Sequence, residues 1–383
     1  MKFPKIFFGD EWNSLKKFEN LSDFERSIVF YAENKASMNH FRTLIFELTE
    51  RMNFQICYVT SVKNDPIFSS KNKNILSFYI GEGTSRTKFF LTLRAKILVM
   101  DMPDLNTYHI KRSKAYPVHY IYLFHSMFSI HSYLRKGSLD NYDTIFCVGP
   151  HHVNEIKATE KLYELKPKKI INYGFGRLDT LLQEKEKFGK FDSNLKDLIL
   201  ITPSYGSKNL LEKCGIELID TLLKSNFRVL LRPHFRTLRD STELIDLIKD
   251  KFGKNPNFTF EDGIIPSEYF HNSICMVSDW SGISMEYAFT FKRPIIFIDV
   301  PKKVLNLNSS DILLEPIEIS LRSKLGYIVS PNNLKIIPDL IKNTTKNNKF
   351  SQQIQKIRSE TVFNIGESAK IGADFIQQLI KSN

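Results

Sequence analysis

Short apolar runs recur along the chain, each closed by a polar or glycine-bearing loop and most followed by residues at helical spacing. SIVFYA at 27–32 opens the series, Glu33–Asn34–Lys35 forms its loop, and Met38 to Asn53 carries Phe41, Leu44, Ile45 and Leu48 on one helical face. QICYVT at 55–60, the run Ile75 to Ile80, AKILVM at 95–100, HYIYLF at 119–124, TIFCV at 144–148 and Lys169 to Tyr173 continue it. Helices are expected at Thr87–Arg94 and 151–165, after the loops Gly81–Arg86 and Gly149–Pro150. Continuous apolar runs alternating with helices mark strands buried on both faces of a parallel sheet. A charged segment from Gln183 to Asp197 reads as a link, after which the rhythm restarts. LILIT at 198–202, a helix Asn209–Lys224, RVLL at 228–231, a helix Asp240–Phe252 and Phe258–Phe260 form the second series. The expected fold class is α/β: two doubly wound Rossmann-like domains, 1–185 and 186–350, facing across a cleft. Residues 351–383 are expected to be terminal helices able to pack back on the N-terminal domain.

The stretch Ile274 to Val300 is the most informative. An apolar run to Val277 meets the small, polar turn Ser278-Asp279-Trp280-Ser281-Gly282, a helix Ile283–Phe291 and a second apolar run Pro294–Val300. A strand that stops in Ser and Gly before a helix presents free backbone N–H groups and a positive helix end, which together suit a phosphate. Glu286, one turn into the helix, is placed to accept from a sugar hydroxyl. Ser281 serving only as an N-cap is the alternative these residues leave open.

Composition narrows the choices. The chain has 383 residues and 42% hydrophobic residues, enough for two domains of ordinary size, and its 31 Phe and 15 Tyr make the cores aromatic. Four scattered cysteines without a CxxC pair argue against a zinc site or a disulfide scaffold and for a reducing compartment. No secretory signal and no bilayer-length apolar run are evident. A net charge of +12 suits phosphorylated substrates or the anionic inner face of the plasma membrane. No nucleic-acid motif accompanies that charge. No His/Asp/Glu set has metal-ligand spacing, so neither a tightly held metal nor a cofactor is expected.

The expected strand ends gather LFHS at 123–126, YGFGRLDTL at 173–181, ITPSY at 201–205, LLRPHF at 230–235 and VSDWSGISMEYAFTFKRPIIF at 277–297. In order and spacing these resemble the CDP-glycerol glycerophosphotransferase family, the teichoic-acid primases and polymerases of GT-B fold, over about residues 27–300. The chain departs from that pattern at Ser126, where the family has Gly, and at Phe235, where it has Pro. Gly282 replaces a Ser, and no arginine follows Ser204–Tyr205.

The resemblance implies transfer of glycerol phosphate, or a related polyol phosphate, from a CDP-linked donor to a hydroxyl of a cell-surface glycan or lipid-linked acceptor, with release of CMP. His125 is the candidate base, since imidazole titrates near working pH. Arg232, His234 and Arg236 are candidates to meet charge on the departing CMP. Ser281, Gly282 and Ser284 would seat the phosphates and Glu286 the ribose, with Ser204, Asp262 and Arg177 as further donor contacts. A GT-B glycosyltransferase using a CMP-, UDP- or GDP-sugar in capsule synthesis is the main alternative. A UDP-sugar 2-epimerase and a non-catalytic glycan-binding module are the others. A cytoplasmic protein at the inner membrane face is expected.

Overall fold

The computed structural model describes residues 9–188, 197–263, 265–302, 306–346 and 349–382. Residues 1–8, 189–196 of the expected link and 347–348 lie outside the described residues. The chain divides into two compact units. The first takes the chain to Asp179, Asn306–Ile312 and the segment from Val362; the second takes Thr180–Leu305 and Leu313–Thr361.

The first unit is built on seven parallel strands in the order β3-β2-β1-β4-β5-β6-β7. They are β1 Ile28–Ala32, β2 Ile56–Thr60, β3 Ile75–Tyr79, β4 Ile97–Met100, β5 His119–Leu123, β6 Thr144–Cys147 and β7 Lys169–Asn172. Val29 pairs with Cys57 on one side and Leu98 on the other. Both β1 and β2 are buried at every position, which is why they read as unbroken apolar runs. On one face Ile28, Phe30 and Ala32 meet Phe41, Leu44, Ile45 and Leu48 of the following helix. Each such side chain contributes roughly 2 kcal/mol by leaving water. That helix is α from Ser37 to Phe46, widens into one π turn at Glu47–Arg51, and stops where Asn53 turns left-handed at φ 55°. On the other face aromatic edges interlock: Tyr31 meets Phe90 at 4.8 Å, and Phe18 meets Phe78 and Phe89 at 5.5 and 5.3 Å.

The second unit carries six parallel strands ordered β10-β9-β8-β11-β12-β13. They are β8 Leu198–Thr202, β9 Arg228–Leu231, β10 Phe258–Phe260, β11 Cys275–Ser278, β12 Ile295–Ile298 and β13 Gly326–Val329. The edge strand β13 is absent from the sequence reading because only its two ends are buried, leaving no apolar run. Gly326 makes it possible. A Cβ there would stand 1.8 Å from the Ile295 carbonyl oxygen, so only glycine lets the strands close. The helix expected over Asp240–Phe252 is two, Phe235–Asp240 and Thr242–Phe252, broken at Ser241 (φ −135°, ψ 46°). At the far end, Lys349–Thr361 belongs to the second unit, where Arg358 donates to the Phe289 carbonyl at 2.8 Å. Ser368–Ser382 instead buries Ala373 and Ile376 in the core of the first unit. Among the described residues no helix is long and apolar enough to cross a membrane. All four cysteines are buried and free.

Candidate active site

In a doubly wound sheet, ligands gather outside the carboxyl ends of the strands where the winding reverses. The second sheet reverses between β8 and β11, and the first between β1 and β4.

At the reversal in the second unit, Asp279 follows β11 and is buried. Its Oδ1 accepts from the backbone N–H of Ser204 and of Trp280, both at 2.7 Å, and its Oδ2 from Leu210 N–H at 2.9 Å. One carboxylate thus ties the loop after β8 to the turn after β11. Burial pushes its pKa up, opposed by those N–H groups. Two helices begin here, and their N-termini differ. Helix Leu210–Lys224 is closed: Asn209 accepts from Leu211 and Glu212 N–H, and Asp279 takes Leu210 N–H. Helix Ile283–Phe291 starts at Gly282 with no side-chain cap. The N–H groups of Gly282 and Ile283 and the hydroxyl of Ser281 have no hydrogen-bond partner among the described residues. Ser281 is therefore not spent as a cap, and the turn keeps the donors an anion needs. Ser284 is buried, and its hydroxyl donates to the Ser281 carbonyl at 2.8 Å, so it braces the turn from behind. A cavity of about 300 Å³ lies beside it, lined by Ser204, Tyr205, Gly206, Lys208, Trp280 and Lys302. Trp280 is fixed by its Nε1–H to the Val300 carbonyl, 2.9 Å, and by Arg322 stacked 4.0 Å over its ring.

Arg232 ends β9 and is partly buried; its Nε donates to the Gly263 carbonyl at 3.2 Å. Burial lowers its pKa, while Glu286 and Glu261 oppose that, which places both carboxylates near the guanidinium. His234 accepts from Arg236 N–H through Nδ1 at 3.1 Å and so caps the short helix Phe235–Asp240. A neutral ring held this way carries its proton on Nε2. The imidazole lies between the rings of Tyr205 and Phe235, each at 4.5 Å, and Arg236 sits 4.7 Å over Tyr205. Asp262 is exposed, in the loop that Arg232 meets at Gly263, and Glu261 holds the turn of that loop by accepting from Gly263 N–H at 3.0 Å.

At the reversal in the first unit the chemistry is different. His125, just past β5, is half-buried and its Nδ1 lies 3.1 Å from the Asp101 carbonyl oxygen. A carbonyl only accepts, so Nδ1 carries the proton and Nε2 keeps its lone pair, which has no partner among the described residues. Burial lowers the pKa from 6.5, which keeps the ring neutral and able to take a proton. The Asp101 carboxyl, accepting from Ser37 Oγ at 3.0 Å, is pushed up to about 7 by its own burial. His40, from the first turn of helix Ser37–Phe46, lies 6.1 Å from His125 between ring centroids. Tyr133 flanks His125 on another side at 6.0 Å. Arg177 is close enough to His40 to help depress its pKa. The approach needs Gly176, since a Cβ there would lie 2.5 Å from Thr43 Oγ1.

The structure thus groups Ser204, Ser281, Gly282 and Ser284 around one turn, with Arg232 near Glu286 and His234 near Arg236. His125 and Arg177 stand about His40 in the other unit. His40, Lys208 and Lys302 are the residues sequence reasoning missed. Among the described residues no group of three or more His, Cys, Asp or Glu could hold a metal ion.

The family model described as CDP-glycerol:poly(glycerophosphate) glycerophosphotransferase matches residues 18–303. No curated protein matches the chain in sequence. In structure the chain is similar to the wall teichoic acid polymerase TagF, at 15% identity over 97% of this chain and 94% of that one, with a TM-score of 0.60. It is also similar to the UDP-GlcNAc 2-epimerase of Methanocaldococcus jannaschii in complex with UDP-GlcNAc and UDP (16% identity, 93% and 99% covered, TM-score 0.58). The UDP-GlcNAc-bound 2-epimerase of Neisseria meningitidis is a third similar structure (13% identity, 92% and 99% covered, TM-score 0.57). At these identities the structural likeness speaks for the fold, that of GT-B proteins.

Proposed function

Because the chain belongs to the CDP-glycerol:poly(glycerophosphate) glycerophosphotransferase family, we propose that its second unit seats the diphosphate of CDP-glycerol and its first unit supplies the base. The chain is a transferase of that kind: glycerol phosphate passes from the CDP-linked donor to an acceptor hydroxyl and CMP is released. In the step we assign, His125 Nε2 takes the hydroxyl proton. The oxygen attacks the phosphorus that carries glycerol, and the bond from that phosphorus to the CMP oxygen breaks with its electron pair on CMP. Little covalent chemistry falls to the protein, so placement and charge dominate.

The observation that carries the donor assignment is the open N-terminus after Asp279. Two unspent N–H groups and the Ser281 hydroxyl stand beside a cavity flanked by Lys208 and Lys302. Arg232 and the Nε2 of His234 add positive charge and a donor for the leaving CMP. Glu286, close to Arg232, is the residue assigned to the ribose. The acceptor is read as a phosphate-linked polyol of the teichoic acid kind. The family's name and the likeness to TagF, one structure of which is a CDPG soak, favour it over a capsule sugar. The net charge of +12 suits both a polyanionic acceptor and contact with an anionic membrane face.

A thermal-shift series with CMP, CDP-glycerol, UDP and GDP tests the donor. Stabilisation by CMP and CDP-glycerol, lost in Arg232→Gln, is expected. A shift with UDP and none with CMP points instead to the sugar-nucleotide chemistry of the epimerases and overturns the assignment.

A further inference from the structure

Two imidazoles meet at the reversal of the first sheet, and the base needs only one. His40 and His125 have ring centroids 6.1 Å apart with planes inclined at 64°. That spacing leaves room for one oxygen between two ring nitrogens at ordinary hydrogen-bond lengths of about 2.8 Å each. The rings are set in opposite senses. On His125 the Asp101 carbonyl holds the proton at Nδ1, which makes Nε2 an acceptor. On His40 it is Nδ1 that is buried without a partner. A buried N–H left unpaired is the costlier orphan, so the proton sits on Nε2, which is not closed off and makes no hydrogen bond among the described residues. His40 is fixed in place from several sides. It lies in the first turn of helix Ser37–Phe46, and Phe175 packs at 6.2 Å. Gly176 brings the following helix against its backbone carbonyl.

We propose that His40 is the acceptor-binding partner of His125: its Nε2–H donates to the oxygen of the acceptor hydroxyl while His125 Nε2 takes that hydroxyl's proton. One ring orients the oxygen and the other deprotonates it, which leaves a lone pair on that oxygen for the attack. The proton ends on His125 and the electron pair of the broken bond on CMP. His40 stays neutral throughout: burial, His125 and Arg177 together pull its pKa down to about 3. The proposal rests on the assignment of His125 as base.

The test separates the two. Histidine 15N spectra read the tautomers without any acceptor, and Nε2–H on His40 with Nδ1–H on His125 is expected from pH 6 to about 8. CMP release from CDP-glycerol is then followed with a di(glycerol phosphate) acceptor. His40→Phe keeps the ring and removes the donor, and a roughly 10-fold rise in acceptor KM is expected, with an unchanged thermal shift by CMP. His40→Gln restores an N–H near the Nε2 position and is expected to recover most of the loss. A His40 proton found on Nδ1, or a His40→Phe enzyme with the wild-type acceptor KM, overturns the proposal. If His125→Ala retains turnover, it is the base assignment that falls. A purely structural His40 would change the Tm of both variants and leave acceptor KM alone.

Discussion

The carboxyl edges of the two sheets are assembled from the same parts and are chemically opposite. In the first unit the reversal point holds His40 and His125, kept neutral by burial, and an Asp101 carboxyl pushed up to about 7. In the second it holds Arg232, Lys208, Lys302 and unspent backbone N–H groups. One edge is suited to moving a proton and the other to holding an anion. The lesson is that a doubly wound sheet fixes where a site lies, and the burial of a few polar side chains decides what it does.

Substitutions that affect one property and spare the other separate the edges. His125→Ala should cut CMP release by roughly 10²- to 10⁴-fold while the thermal shift with CMP stays at the wild-type value. Loss of the shift along with turnover would break the distinction. In the wild type, the acid limb of kcat/KM should fall below pH 6.5, the ordinary histidine value, because burial lowers the pKa of His125.

Asp101 offers a stability test of the same edge. Its folded pKa is raised from 3.8 to about 7, so its contribution is complete below 3.8 and is lost as pH rises through 7. Between pH 5 and 8 the wild type should therefore lose roughly 2–3 kcal/mol more than Asp101→Asn, measured by denaturant unfolding at each pH. Equal slopes would show that the carboxyl titrates as in water.

On the other edge, Asp279→Asn removes one acceptor from the set that holds two loops, and its amide faces a backbone N–H. About 1–3 kcal/mol of stability should go, together with the CMP-induced shift. Turnover falling while that shift survives would mean that the turn does not seat the donor. Ser281→Ala is the smallest change: about 0.5–1.5 kcal/mol of donor affinity, read by titration calorimetry, with no effect on acceptor KM.

Strands β9 and β10 and helix Ile283–Phe291 were legible residue for residue, because apolar runs and helical spacing are local signals. The turn that opens this helix was legible for the same reason, since Ser281 and Gly282 adjoin it. The one-turn spacing of Ser284 showed its nearness to the turn, and its hydroxyl bond to the Ser281 carbonyl needed the folded geometry. The helix start at Phe235 and the strand β13 escaped because the His234 cap and a tolerated close approach leave no pattern in hydrophobicity. His40 escaped for a further reason. It precedes Phe41 within an ordinary amphipathic helix, and its importance lies in His125, 85 residues on by the numbering, which only the sheet order brings near.

The carboxylate of Asp279, bound to N–H groups from two separate loops, has one more consequence. Neither loop can be reshaped without disturbing the other, so the cavity they line is formed before anything arrives to occupy it. Little chain entropy then remains to be lost on binding, and the interaction free energy of a ligand held there can go to orienting it.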